Sequence, residues 1–294
     1  PDTRTSTPVP EPGPRLPAWA RIIIPIVLFL PIAMTGTLPM LIPGFSSLAE
    51  RQDDMAVLAF SVVAAVTLAA YVLVSWALVR WIDRRPFSAL GLRFHQGAVL
   101  GLLVGTVIAV VLAIAAAWLS ETLGIARTYP DAGAGQNGEL TVLGIIIFIV
   151  LRSFVLQGIG EEVLFRGYLM QSLRSRPVLA ILITAIAFTI PHLASSGGQE
   201  NALERVLYLA VAFGFSISAG FLAVAFRSVW AAAGIHGGFH VGVAVGGALG
   251  FTADGPGAWL TVGALHVIVG VVIALMIPRR RWAEVRELGP YGVR

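Results

Sequence analysis

Residues 141–173 read TVLGIIIFIVLRSFVLQGIGEEVLFRGYLMQSL. The first part is apolar and long enough to cross a bilayer, which takes about 17 to 25 residues. No proline interrupts the remainder, so one helix is expected to run on to about Leu173, where Ser175 and Pro177 turn the chain. The apolar half ends in Glu161, Glu162 and, one turn later, Arg166. Ionisable groups in such surroundings cost about 2.5 to 3.5 kcal/mol each unless they are paired or used. The stretch therefore sets both the fold class and the place to look for chemistry.

Seven further windows have the same character. Together with the first, expected at 141 to 160, they fall near 21 to 43, 55 to 79, 97 to 119, 178 to 194, 206 to 226, 229 to 250 and 258 to 278. Composition agrees: 57% of the 294 residues are hydrophobic and 12% charged, about half the charge of a soluble domain. The expected fold is all-α, a polytopic membrane bundle of about eight transmembrane helices. Residues 1–20, with Pro8, Pro10, Pro12, Pro14 and Pro17, are expected to be a disordered cytoplasmic tail. Residues 21–278 form the transmembrane domain, and 279–294 a basic cytoplasmic C-terminal tail. No cleavable secretory signal is expected, since the first apolar segment is too long and lacks a small-residue cleavage pattern. No internal repeat of the transporter kind is visible.

The net charge of +4 comes from twenty basic residues, all arginine. They are distributed by side of the membrane and not gathered in one patch, which argues against a nucleic-acid partner. Arg80, Arg84, Arg85 and Arg93 follow the second segment, Arg174 and Arg176 the fourth, Arg227 the sixth, and Arg279, Arg280, Arg281 and Arg286 the eighth. Alternate links are poor in arginine. By the positive-inside rule both termini are cytoplasmic, in a protein integral to the cell (plasma) membrane. The absence of cysteine removes disulfides, thiolate nucleophiles and sulfur-ligated metal sites.

Three sets of residues carry the chemistry. With the hairpin tip at Arg176, Glu161 lies 15 residues before it and His192 16 after it. At 1.5 Å per residue both stand roughly 22 to 24 Å along their helices, at one level. His236 and His240 share a helix face. They lie roughly 9 and 15 Å inward from Trp230, a depth that counting alone does not reconcile with Glu161. Glu161 and Glu162 are neighbours and point about 100° apart, so their tasks should differ. Glu162 and Arg166 suit an i, i+4 salt bridge. That leaves Glu161 as the freer carboxylate, suited to take a proton from water. His192 is placed to hold the same water, and His236 with His240 to donate to an oxyanion. The alternative is a metal site in which Glu161, His192, His236 and His240 hold Zn²⁺.

At these residues the chain resembles the CPBP family of intramembrane proteases, which takes in CAAX proteases, the Abi proteins and bacteriocin-processing enzymes. The family's Glu-Glu-x-x-x-Arg matches Glu161, Glu162 and Arg166, followed by the usual Gly167. Its Phe-x-x-x-His matches Phe188 and His192, and its third motif matches His236. Four residues on, where the family has Asn or Asp, this chain has His240. The resemblance covers about 141 to 250. It implies hydrolysis of a peptide bond within the membrane, with Glu161 and His192 activating water and the third motif stabilising the oxyanion. The implied partners are a membrane-associated protein or peptide substrate and the lipid bilayer. Histidine at 240 makes activity more pH-dependent or favours metal, because an amide donates at any pH and a neutral imidazole through one nitrogen only.

The same residues admit other functions. Membrane Glu and His also build proton relays, so a proton- or metal-coupled transporter is one alternative. A catalytically silent immunity or scaffold protein is another. The arginine-only basic set, with abundant Ala, Gly and Val, points to GC-rich coding and a bacterial source, which disfavours prenylated substrates. Arg152 is expected to snorkel or to pair within the bundle, with a substrate carboxylate or carbonyl as the sharper alternative. His95 and His266 are read as structural, Gly242, Gly246 and Gly247 as packing, and Trp19, Trp230 and Trp259 as interfacial anchors. The arginine-rich end is taken as the side on which the site opens.

Overall fold

The computed structural model describes residues 13–128 and 139–292. Among the described residues eight helices are long and apolar enough to cross a membrane: α1 (Ala18–Leu41), α2 (Asp54–Ile82), α3 (Gln96–Thr122), α4 (Val142–Met170), α5 (Pro177–Ala194), α6 (Ala202–Phe226), α7 (Val229–Ala248) and α8 (Gly255–Met276). The protein is an integral membrane, all-α bundle, as the windows of apolar sequence predict. A shorter helix, α9 (Arg279–Leu288), comes after them. Of the expected N-terminal tail, residues 1–12 lie outside the described residues, and α1 has already begun at Ala18.

Local sequence sets the helix starts. The side chains of Asp53, Thr141, Asn201 and Ser228 each accept a backbone N–H of the first turn of α2, α4, α6 and α7, satisfying donors a helix leaves open. Pro177 opens α5 at the position where its missing N–H costs nothing.

Burial ranks the helices. In their most apolar windows α6 is 72% buried and α7 61%, against 28% or less for α1 to α4 and α8, so α6 and α7 form the centre. Between α3 and α7 the contact is made by small residues, which let backbones approach where lipid supplies no hydrophobic drive. A Cβ on Gly105 would stand 2.6 Å from the Ala231 carbonyl, and one on Gly238 2.7 Å from Thr106. Gly242 meets Val110 and Ala113 in the same way, whereas Gly247 faces open space and is not part of the seam.

α4 changes character along its length. Val142 and Leu143 are 74% and 65% exposed, while every residue from Gly160 to Ser172 is buried. Its backbone widens to π-helical turns over Leu151–Gly158 and Val163–Met170, on either side of an α-helical Ile159–Glu162. Such widened turns are frequent at functional sites. Because Ile159–Glu162 keep α geometry, Glu161 and Glu162 still diverge.

The last residues fold back on the arginine-rich end. Arg281 donates to the Val224 carbonyl at 3.0 Å and also to that of Pro290. Glu284 pairs with Arg227 and Arg281. Tyr291, 9% exposed, lies against Gly91, whose φ of +73° and lack of a Cβ leave room for the ring. Trp259, expected at the interface, is instead 4% exposed and donates to Asp254 at 2.7 Å.

Candidate active site

The depth mismatch between α4 and α7 is resolved by a ledge formed by Leu90 and Gly91. Gly167 packs on the Leu90 carbonyl, which a Cβ would approach to 3.0 Å, and the Val229 N–H donates to the Gly91 carbonyl at 3.2 Å. α7 therefore starts at the level of Gly167, deeper than the hairpin tip. From that level Glu162 lies roughly 7 to 8 Å along α4 and His236 roughly 10 Å along α7, and the two meet.

Glu162 is the hub. Its Oε1 accepts from Arg166 Nη1 at 2.8 Å and faces His236 Nδ1 at 3.1 Å. Glu162 and Arg166 have no exposed surface and His236 has 2%, so the pair is no solvated interfacial cluster. Arg166 also donates through Nη2 to the carbonyl and hydroxyl of Ser216, and its guanidinium lies 5.0 Å from the centre of the Phe188 ring. Sequence reading joins Glu162 to Arg166 but misses Ser216 and the bond to His236, which tertiary packing alone creates. The buried cation is thus met by a carboxylate, a carbonyl, a hydroxyl and an aromatic face, while its Nε has no hydrogen-bond partner.

Glu161 is 6% exposed, and its Oε2 has no hydrogen-bond partner. It lies within electrostatic reach of His236, Glu162 and Arg166. His192 Nδ1 faces the Phe188 carbonyl at 2.8 Å. A carbonyl only accepts, so Nδ1 carries the proton and a neutral ring keeps the Nε2 lone pair. The His192 ring stacks at 4.4 Å on Phe188, whose centre is 5.8 Å from that of His236. Phe188 thus lies between the two histidines and under Arg166. His240 follows His236 with ring centres 5.4 Å apart.

The six expected residues fall into one region with Glu162, Arg166 and His236 in direct contact. The four expected metal donors do not form a cage: among the described residues no three His, Asp or Glu side chains converge as a metal would require. His236 turns Nδ1 to Glu162 and His192 turns Nδ1 to the Phe188 backbone.

Exposure within the set differs along the bundle. Residues 160–172 are sealed at the arginine-rich end, where Leu90 and Tyr291 cover them. The partly exposed members of the set are His192 and His240, both toward the far ends of their helices. Arg152 is exposed on that far side, has no ion-pair partner among the described residues, and lies within electrostatic reach of His240 and Tyr208. His266 is fully buried behind the Phe215 ring, with Nδ1 bonded to Ser218 Oγ at 2.9 Å, apart from the other histidines.

Residues 143–242 match the family described as type II CAAX prenyl endopeptidase, Rce1-like. The match spans about a third of the chain and holds all three motifs. The resemblance read from Glu161, Glu162, Arg166, His192 and His236 is borne out. A comparison with curated proteins gives no significant match.

Proposed function

We propose that this chain, which over residues 143–242 matches the Rce1-like type II CAAX prenyl endopeptidases, is an intramembrane endopeptidase whose general base is Glu161. The observation that carries the reading is the buried Glu161 carboxylate, whose Oε2 has no hydrogen-bond partner, beside a Glu162 whose Oε1 is held by Arg166 and His236 while its own Oε2 is unpartnered. A buried acceptor without a donor is costly, and a water held there relieves it.

In the proposed reaction, the Nε2 lone pair of His192 accepts one water hydrogen and Glu161 accepts the other as a proton. The hydroxide formed attacks the scissile carbonyl carbon, and the carbonyl π electrons move onto oxygen. His236, held through Nδ1 by Glu162, and His240 stand as the donors to that oxyanion. When the intermediate collapses, the C–N bond breaks and Glu161 delivers its proton to the leaving amine. Arg166 is a positioning residue that holds Glu162 in place.

The substrate is a membrane-associated protein or peptide that reaches the site past His192, His240 and Arg152. Both chain termini and the Tyr291 end are assigned to the cytoplasm on the arginine pattern, so the accessible side lies toward the opposite leaflet.

The test is incubation of lipid-reconstituted protein with a pool of peptides and small membrane proteins, read by mass spectrometry. Products formed by the wild type and absent with Glu161→Ala support a Glu161-dependent protease. Activity that vanishes on chelation and returns with one metal would replace the metal-free mechanism. Full biological activity without any cleavage would favour a transporter or scaffold.

A further inference from the structure

At the arginine-rich end a groove opens between the first turn of α5 and α9. It is lined by Arg176, Pro177, Val178, Leu179, Trp282 and Arg286. Its apolar floor is exposed, with Val178 at 48% and Leu179 at 43%. Both arginines are exposed and neither has an ion pair among the described residues. Of the two acids of α9, Glu284 is held by Arg227 and Arg281 and Glu287 is not part of the lining. Two uncompensated guanidinium groups thus flank an apolar cleft.

Position says what such a cleft meets. Arg176 is the hairpin tip and Pro177 the first residue of a membrane-spanning helix, so the cleft lies at the depth of lipid headgroups. From it an exposed apolar ridge continues down α5 through Leu182 at 40% and Ile186 at 54%, at helical spacing along the lipid-facing side. Trp282 has the amphipathic ring favoured at that boundary. Charge, depth and ridge together match one molecule, anionic at the top and apolar below.

We infer that the α5–α9 groove binds an anionic phospholipid, with its phosphodiester between Arg176 and Arg286 and an acyl chain along Val178, Leu182 and Ile186. Guanidinium is suited to the phosphate because its planar fork gives paired donors. α9 leads on to Tyr291 beside Arg166, so an occupied groove holds in place the segment that closes the back of the site.

Native mass spectrometry of the full chain in detergent, titrated with phosphatidylglycerol or with phosphatidylcholine of the same acyl chains, tests this. The wild type should retain phosphatidylglycerol in preference by about tenfold or more. Arg176→Gln/Arg286→Gln should bring the two lipids level without changing the melting temperature. Arg286→Gln alone should reduce the preference by about fivefold, and serves if the double variant folds poorly. Arg84→Gln, an exposed arginine outside the groove, should leave the preference intact. Equal retention of the two lipids by the wild type, or a preference kept by the double variant, would overturn the assignment. So would displacement of the lipid by millimolar inorganic phosphate, which would mark a soluble-anion site.

Discussion

The hydroxyl of Tyr291 donates to the backbone carbonyl of Arg166 at 2.9 Å, joining residues 125 positions apart at the sealed end of the site. Burial pushes the Tyr291 hydroxyl well above the ordinary tyrosine range, so it stays a donor at every working pH. The carbonyl it satisfies belongs to the widened turn Val163–Met170, and the same residue's side chain orients Glu162. Burial and the neighbouring Arg227 bring the Arg281 guanidinium, which anchors this segment, down to about 10, still charged at neutral pH.

Tyr291→Phe should therefore remove one buried hydrogen bond, at a cost of about 0.5 to 1.5 kcal/mol. The expected signature is a fall in kcat of roughly tenfold with KM unchanged, since a shift of this size in transition-state positioning is worth about 1.4 kcal/mol. A loss explained by unfolding alone would lower the active fraction and leave kcat per folded molecule as it was. Active-site titration beside steady-state kinetics separates the two.

Glu161 and Glu162 should part company when each is changed to glutamine. Glu161→Gln removes a base and little bonding, so cleavage should fall by about 10² to 10⁴ while the melting temperature holds or rises. Glu162→Gln strips the counter-charge from Arg166, both being fully buried, and should destabilise the fold by about 3 to 5 kcal/mol. Thermal melts and peptide cleavage on the same preparations check both. Equal destabilisation by the two changes would mean that Glu161 has a structural partner.

Range explains why the first pairing is legible in the sequence and the second bond is not. Glu162 and Arg166 lie one turn apart on a single helix, so spacing alone joins them, and counting from Arg176 brings Glu161 and His192 to one level. His236 reaches Glu162 only because Leu90 and Gly91 raise the start of α7 relative to the hairpin tip, a contact 137 residues apart in the case of Gly91 and Ser228. No periodicity encodes such a ledge. The eight spans are readable because lipid demands long apolar runs. The covering of the site at the arginine-rich end is not, because arginines report only the side of the membrane, and it is Tyr291 and Leu90 that cover that end.

His240 stands beside His236 and Phe239, with Arg152 within electrostatic reach. Replacing it by asparagine restores the family's residue type and substitutes a donor whose pattern does not change with protonation. His240→Asn should keep cleavage, whereas His240→Ala should lose about 10² in kcat. Steady-state kinetics of the three proteins decide this. A rate in His240→Ala equal to that of the wild type would remove His240 from oxyanion stabilisation.

Arg152 has no ion-pair partner among the described residues and sits at the accessible side, which suits it to hold a substrate carbonyl or carboxylate on its way to Glu161. Arg152→Gln should then raise KM by roughly tenfold, the worth of about 1.5 kcal/mol of charge-assisted hydrogen bonding, with kcat little changed. The rise should disappear for substrates whose carboxylate is amidated if that group is the one held. A drop in kcat alone would instead assign Arg152 to the chemistry near His240.

The α3–α7 seam makes a prediction that depends only on distance. A side chain at Gly238 meets the Thr106 backbone at 2.7 Å, and backbone cannot swing aside, whereas at Gly247 nothing lies within 4 Å. Gly238→Val must push α7 off α3, at a cost of about 1 to 3 kcal/mol or more. α7 carries His236 on its opposite face, so the same displacement drives the ring against Glu162 and Phe215, and catalysis should fall further than stability alone explains. Gly247→Ala should leave both unchanged or raise the melting temperature slightly, since alanine favours helix by about 1 kcal/mol over glycine. Melting temperatures and cleavage rates of the two variants, measured in the same lipid, test whether the glycine seam sets the position of the histidine pair.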